Sequence, residues 1–190
     1  GPLVFGAFAA VATFVTFYLM TVFTLSWGTT HLGFTRTQFL LLQLVAVVFL
    51  AVTIPLSALL ADRIGRKWSL VISSLMVMGF GLTFSWLFQG GSLQVLAFLS
   101  LGLAVMGMTY GPLGTALAEA YPTLVRYTGA SLSFNLAGIL GASLTPAIAS
   151  ALAQTHGIAY VGYYLSFAGL VTLVATWILY RKKNDLSDLN

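Results

Sequence analysis

Charge is what this chain has least of: only 6% of its 190 residues are Asp, Glu, Lys or Arg. A soluble domain of that length cannot cover its surface with so few polar side chains, and the 59% hydrophobic content and mean hydropathy of +0.98 place the chain outside the soluble class. Lipid tails accept apolar surface without cost, so the bilayer is the first expected partner. Cysteine is absent, which excludes disulfides and thiolate metal sites and leaves the redox compartment open. The two histidines, His31 and His156, have no second ligand at helical or loop spacing, so no metal or other cofactor is expected. The net charge of +4 comes from basic residues scattered at the ends of apolar runs, with no basic face alternating with aromatics. Nucleic acid is therefore not an expected partner. No run alternates polar and apolar residues with period two, which excludes a membrane barrel.

What is present is a succession of six apolar stretches, each near the roughly 20 residues that cross about 30 Å of hydrocarbon as a helix. The expected spans are Leu3 to Leu25, Phe39 to Ala61, Trp68 to Phe88, Leu93 to Leu117, Thr128 to Leu152 and Tyr160 to Tyr180. The fold class expected is all-α, a polytopic six-helix bundle occupying residues 1–180 with a tail over 181–190. Short joints hold the punctuation: Gly28 and Gly33, Gly65, Gly90 and Gly91, Pro122, and Gly157. Arg63, Arg66, Lys67, Arg126, Arg181, Lys182 and Lys183 fall on one side of the six spans and only Arg36 on the other. The excess of positive charge makes the first side cytoplasmic, with both chain ends there. Trp27, Trp68, Trp86 and Trp177 all lie near span ends, where an amphipathic ring prefers the headgroup level. The chain opens on Gly1-Pro2 without a methionine, so its start is expected not to be native, and the first run is too long and lacks the basic flank of a cleavable signal.

The densest polar cluster is Asp62-Arg63-Ile64-Gly65-Arg66-Lys67, set between two closely spaced spans. It requires a tight turn, for which Gly65 supplies the backbone freedom, and Asp62 can face a basic side chain or a helix N-terminus across the joint. A purely topogenic basic cluster has the same spacing. The longer segment Ala58-Leu59-Leu60-Ala61-Asp62-Arg63-Ile64-Gly65-Arg66-Lys67 resembles the loop signature of the major facilitator superfamily, with Ala58 where that signature usually opens on glycine. Glu119-Ala120-Tyr121-Pro122-Thr123-Leu124-Val125-Arg126-Tyr127-Thr128-Gly129-Ala130-Ser131 resembles the segment joining helices ten and eleven in its metabolite:proton symporter branch. The resemblance implies that the spans are helices seven to twelve of a twelve-helix transporter whose N-terminal half is the missing partner. It further implies that Asp62, Arg66, Glu119 and Arg126, beside Arg63, Gly65 and Lys67, form a cytoplasmic charge network that latches one conformation.

Within the spans, two further groups stand out. Gly107, Gly111 and Pro112 in the fourth and Pro146 in the fifth weaken their helices, which suits either a bending helix or close packing through small residues. Phe14, Tyr18 and Thr21 share a face of the first helix by their spacing. Gln43 and Asn135 are the most polar residues deep in any span, and each needs a partner in protein or in a wet cavity. Tyr18, Thr21, Gln43, Tyr110 and Asn135 are the expected substrate lining, with interhelical hydrogen bonding the competing role for the two amides.

No Walker-type loop occurs, so uphill work must draw on an ion gradient, and the spans carry no Asp, Glu, Lys, Arg or His for a proton relay. The function expected is proton-coupled symport of a small polar metabolite, an organic acid or zwitterion, in a bacterial inner membrane, with the chain supplying one wall of the site. A homodimeric half-size carrier or channel is the alternative. An intramembrane enzyme ranks lower, because a nucleophile needs a base within reach and both histidines lie in joints.

Overall fold

The computed structural model describes the backbone of residues 1–187 and the side chains through Arg181. Of the expected tail, Lys182 and Lys183 lie outside the described side chains and 188–190 outside the described residues. Six helices long and apolar enough to cross a membrane make up the molecule: α1 Pro2–Thr30, α2 Arg36–Ile64, α3 Arg66–Leu87, α4 Ser92–Glu119, α5 Arg126–His156 and α6 Ile158–Ser187. A single turn of 3-10 helix, Thr123–Val125, leads into α5. The chain is an integral membrane protein of the all-α class.

Each expected span falls within one helix, except that Phe88 is the C-cap of α3. The first helix corrects the expectation at Gly28, which lies inside α1 rather than in the joint. Polar as Thr24–Thr30 is, its hydroxyls bond back to their own helix: Thr24 to the Met20 carbonyl, Thr29 to Leu25, Thr30 to Ser26. A helix that absorbs its own polar side chains need not end where hydropathy falls. Gly28 is buried there, with the Phe39 ring occupying the space a Cβ would need. The joint proper begins at His31, and Thr35 and Gln38 then close a reciprocal capping box on α2.

Two joints are one residue long. Gly65 (φ 88°) is both C-cap of α2 and N-cap of α3, and Gly157 (φ 97°) stands between α5 and α6 in the same way. Both dihedrals lie where a Cβ is costly, so glycine is required at each.

The helices pair α2 with α4, α3 with α6 and α4, and α1 with α5, α6 and α4, which makes α1 and α4 the centre. Between α3 and α6 the backbones nearly touch: a Cβ on Gly81 would lie 2.6 Å from the Gly162 carbonyl, and one on Gly162 would lie 2.7 Å from Phe84 Cβ. Thr172 of α6 inserts into the ladder of α1, accepting from Ala12 N–H at 3.1 Å and donating to the Phe8 carbonyl at 2.9 Å. The Thr13 hydroxyl donates to that of Thr109 at 2.9 Å, tying α1 to α4 in the dry interior. At the end away from Gly65, Phe80, Phe84 and Phe88 surround Phe98 of α4 with centroids 4.6–5.3 Å from it, and Phe23 of α1 lies 6.5 Å from Phe84.

Gly162→Leu is expected to lower stability by about 1–3 kcal/mol, the cost of overpacking a tight contact, read as a fall in thermal unfolding temperature in detergent. Gly114→Leu, with open space at the Cβ position, should change it little.

Candidate functional site

At the Gly65 end, the one-residue joint directs the first turn of α3 toward the last turn of α4. Arg66 Nη2 lies 3.0 Å from Asp62 Oδ1, four residues back across the Gly65 joint, and its Nε lies 3.4 Å from Glu119 Oε1. One guanidinium thus holds two carboxylates from two different helices. A cation in the first turn of α3 opposes the helix dipole, and the two acids offset that cost. All three side chains are substantially exposed, at 34%, 63% and 33% for Arg66, Asp62 and Glu119, and at that exposure each bridge contributes about 0–1 kcal/mol. Tyr180 of α6 is close enough to feel both Glu119 and Arg66. Arg63 and Lys67 flank the pair. Arg63 is exposed at the end of α2, and Lys67 turns the other way, over the Trp177 ring.

Arg126 does not join this pair. Its Nε donates to the Tyr121 carbonyl at 3.4 Å and its Nη2 to the Thr123 hydroxyl at 3.5 Å, and among the described residues it has no carboxylate bridge. The 3-10 turn before α5 supplies acceptors within a few residues, and a local partner costs less ordering than one on another helix. Arg126 instead marks the mouth of a groove of about 580 Å³ between α4 and α5, lined by Gly114, Leu117, Ala130, Ser131 and Phe134 among others. The joint above it is pinned by Tyr121, whose hydroxyl bonds that of Ser133 at 2.5 Å and whose ring packs on Gly129. A second groove, of about 560 Å³, opens at the other end, where Thr21, Ser26 and Thr29 of α1 face Arg36 of α2.

The five expected lining residues separate into two sets. Gln43 is 8% exposed and is tied to α1, donating from Nε2 to the carbonyls of Met20 at 2.8 Å and Thr21 at 3.0 Å. The reason lies in α1 itself, which widens to a π turn over Leu19–Phe23, where Thr24 N–H reaches back five residues to Leu19. That shift leaves the Met20 carbonyl without its usual backbone donor, and the Thr24 hydroxyl and the Gln43 amide supply replacements. Gln43 therefore serves as an interhelical bond. Thr21 lines the 560 Å³ groove while its hydroxyl bonds Phe17, and Tyr18 sits edge-on to Phe17.

Tyr110 is 39% exposed and 6.4 Å from the Phe134 ring, which in turn lies 4.9 Å from Phe14. Asn135 is exposed on the same stretch of α5 and donates to the Ser131 carbonyl at 2.8 Å. Gly107 and Gly111 are packing glycines: Thr53 and Ser57 of α2 fill the places of their Cβ atoms, and Ser57 donates to the Gly107 carbonyl at 3.0 Å. Helix α4 runs on through Pro112, and α5 through Pro146.

Several residues make contacts that the sequence reading did not assign: Tyr121, Ser133, Phe134 and Tyr180. For the first two a signal existed, since Gly129 and Ser133 lie one turn apart and leave a slot for an aromatic ring. His31 stacks on Trp27 at 3.7 Å and is exposed, and His156 bonds Thr155. Neither has the buried serine partner that a nucleophile pair requires.

Residues 4–189 match the model of the Major Facilitator Superfamily. The chain belongs to that family. It is 41% identical over 188 residues to the inner membrane metabolite transport protein YhjE of Escherichia coli (strain K12), covering 96% of this chain and 43% of that protein. It is 35% identical over 201 residues to a putative metabolite transport protein of Haemophilus influenzae (strain ATCC 51907 / DSM 11121 / KW20 / Rd), covering 99% of this chain and 46% of the relative. It is also 31% identical over 180 residues to the citrate-proton symporter of Klebsiella pneumoniae, covering 93% and 40% respectively. The chain thus spans less than half the length of these relatives.

Gln43→Leu removes the donor to the Met20 and Thr21 carbonyls and should cost about 1 kcal/mol, measured by thermal unfolding. Asn135→Ala, which loses an exposed bond to its own helix, should stay within about 0.5 kcal/mol of the unaltered protein.

Proposed function

We propose that this chain is the C-terminal half of a secondary transporter that carries a small polar metabolite, an organic acid or zwitterion, by proton-coupled symport. The observation that carries this reading is an asymmetry of burial. Helices α2 and α5 are long and apolar, yet only 17% and 28% of their most apolar windows are buried, against 56% for α1 and α4. One wide groove borders α5, against α4, and the other borders α2, against α1, and Tyr110 and Asn135 are exposed on α4 and α5. An N-terminal six-helix half set against this face would turn open grooves into the two mouths of one passage, with the substrate site near the midplane. The match to less than half of each relative supports a missing partner half. The citrate-proton symporter supports an organic acid as cargo and the proton as coupling ion, and the E. coli relative supports the bacterial inner membrane. Seven of eight basic residues lie toward one side, which favours both chain ends in the cytoplasm.

In this reading the Asp62–Arg66–Glu119 set is the cytoplasmic latch. Bridges worth about 1 kcal/mol or less suit a contact that must break in every cycle, since a stronger one would trap a single state. No Asp, Glu, Lys, Arg or His lies deep in the spans of this half, so the proton carriers fall to the partner half or to Glu119 at the membrane edge.

Two experiments test the reading. The full-length gene product that contains this chain, reconstituted in liposomes, should take up citrate or a related organic acid faster when the outside is acidified. Uptake indifferent to the pH gradient would remove proton coupling. Its intact mass should be roughly twice the 20.3 kDa of this chain, by twelve spans of about 20 residues plus joints; a mass near that of the chain alone would favour the homodimer instead. For the latch, Asp62→Asn should shift the population inward, so that a cysteine introduced at Ser26 reacts up to about five-fold less from the periplasmic side, the factor that 1 kcal/mol allows. Unchanged labelling would count against a latch.

A further inference from the structure

We infer that the crossing of α3 and α6 at the basic end is a binding site for an anionic glycerophospholipid, its headgroup phosphate on Lys67 and an acyl chain in the groove beneath. Lys67 Nζ sits 4.0 Å from the centroid of the Trp177 ring and 5.8 Å from that of Trp68. The two indoles stand edge to face at 6.4 Å and are about half exposed, at 48% and 52%. A cation held against a ring face keeps the N–H directions that point away from the ring free for another acceptor. Among the described residues no carboxylate supplies that acceptor, because the neighbouring Arg66 takes both Asp62 and Glu119. Arg181 follows Trp177 by one helical turn and is exposed, so it adds positive charge on the same stripe of α6.

Directly beneath the ammonium group lies a groove of about 390 Å³, formed by Val71 and Leu75 of α3 with Leu173, Val174, Trp177 and Ile178 of α6. Such a lining gives water nothing to bond with, and the groove starts at the level of two interfacial indoles and runs along two spans toward the midplane. Hydrocarbon chain is the occupant that fits below, and a negative charge at headgroup depth is the occupant that fits above. A zwitterionic phospholipid satisfies the first demand but brings its own ammonium to a site already cationic. Its lining residues all come from α3 and α6, with none from α2 or α5.

The test uses the full-length gene product in phosphatidylcholine vesicles with acyl-brominated phosphatidylglycerol or acyl-brominated phosphatidylcholine as quencher. The Trp177 signal is taken as the difference between the protein and its Trp177→Phe variant. Quenching should favour the anionic lipid about five-fold, as one interfacial cation allows. Lys67→Gln should bring the ratio close to one, while Lys67→Arg and Arg63→Gln should leave it near the original. A ratio near one in the unaltered protein overturns the assignment, and that measurement alone decides if Lys67→Gln does not accumulate. An equal fall in Arg63→Gln and Lys67→Gln also overturns it, because the preference would then come from the diffuse charge of the whole face.

Discussion

Hydrocarbon offers a backbone amide or a hydroxyl no partner, so each polar group in the spans has to be satisfied by the chain itself. Much of this structure answers that constraint. Threonine hydroxyls along α1 fold back on carbonyls one turn earlier, as Thr16 does on Ala12 and Thr21 on Phe17. Where a helix departs from its regular ladder, another helix makes up the loss. Gln43 and Thr24 serve the π turn of α1, and Thr172 enters the same helix between Phe8 and Ala12. Since lipid gives no hydrophobic reward for bringing helices together, such bonds and the glycine contacts at Gly81, Gly107, Gly111 and Gly162 determine which helices neighbour which.

The same constraint separates the chain into a neutral interior and charged margins. Among the described residues the ionic contacts lie at helix ends, where water is near and each bridge is weak. Arg66 connects the turn between α2 and α3 to the end of α4, which makes a loop motion and a helix motion the same event. Lys67, its immediate neighbour, points to the opposite flank and meets aromatic rings in place of acids. Adjacent residues at a helix N-terminus face different directions, so one short cluster addresses two surfaces at once.

The six helices were legible because hydropathy over 20 residues is a strong local signal, and Gly65 and Gly157 were legible as joints because their backbone conformations exclude other residues. Gly28 was misread because composition alone cannot tell a polar joint from a polar helix end whose hydroxyls are satisfied within it. The amide of Gln43 was rightly marked as needing a partner, but its partner exists only because α1 is wound differently at Leu19–Phe23, 20 or more residues away. The family resemblance, not charge spacing, grouped Asp62, Arg66 and Glu119 with Arg126, and the first three meet. Arg126 carries the same charge but has nearer acceptors in its own turn, a competition that spacing does not display.

The aromatic cluster around Phe98 and the ion pairs of Arg66 lie at opposite ends of the bundle. One end is a fused block of rings from α1, α3 and α4, in which every displacement opens a void; the other is joined by contacts that water can replace at little cost. The bundle therefore has a mechanical polarity, like tongs with a stiff bow and free tips. A force applied evenly along these helices would spread them unevenly, and the strain would gather beside the π turn, where α1 leaves the block of rings and its backbone is already bonded out of register.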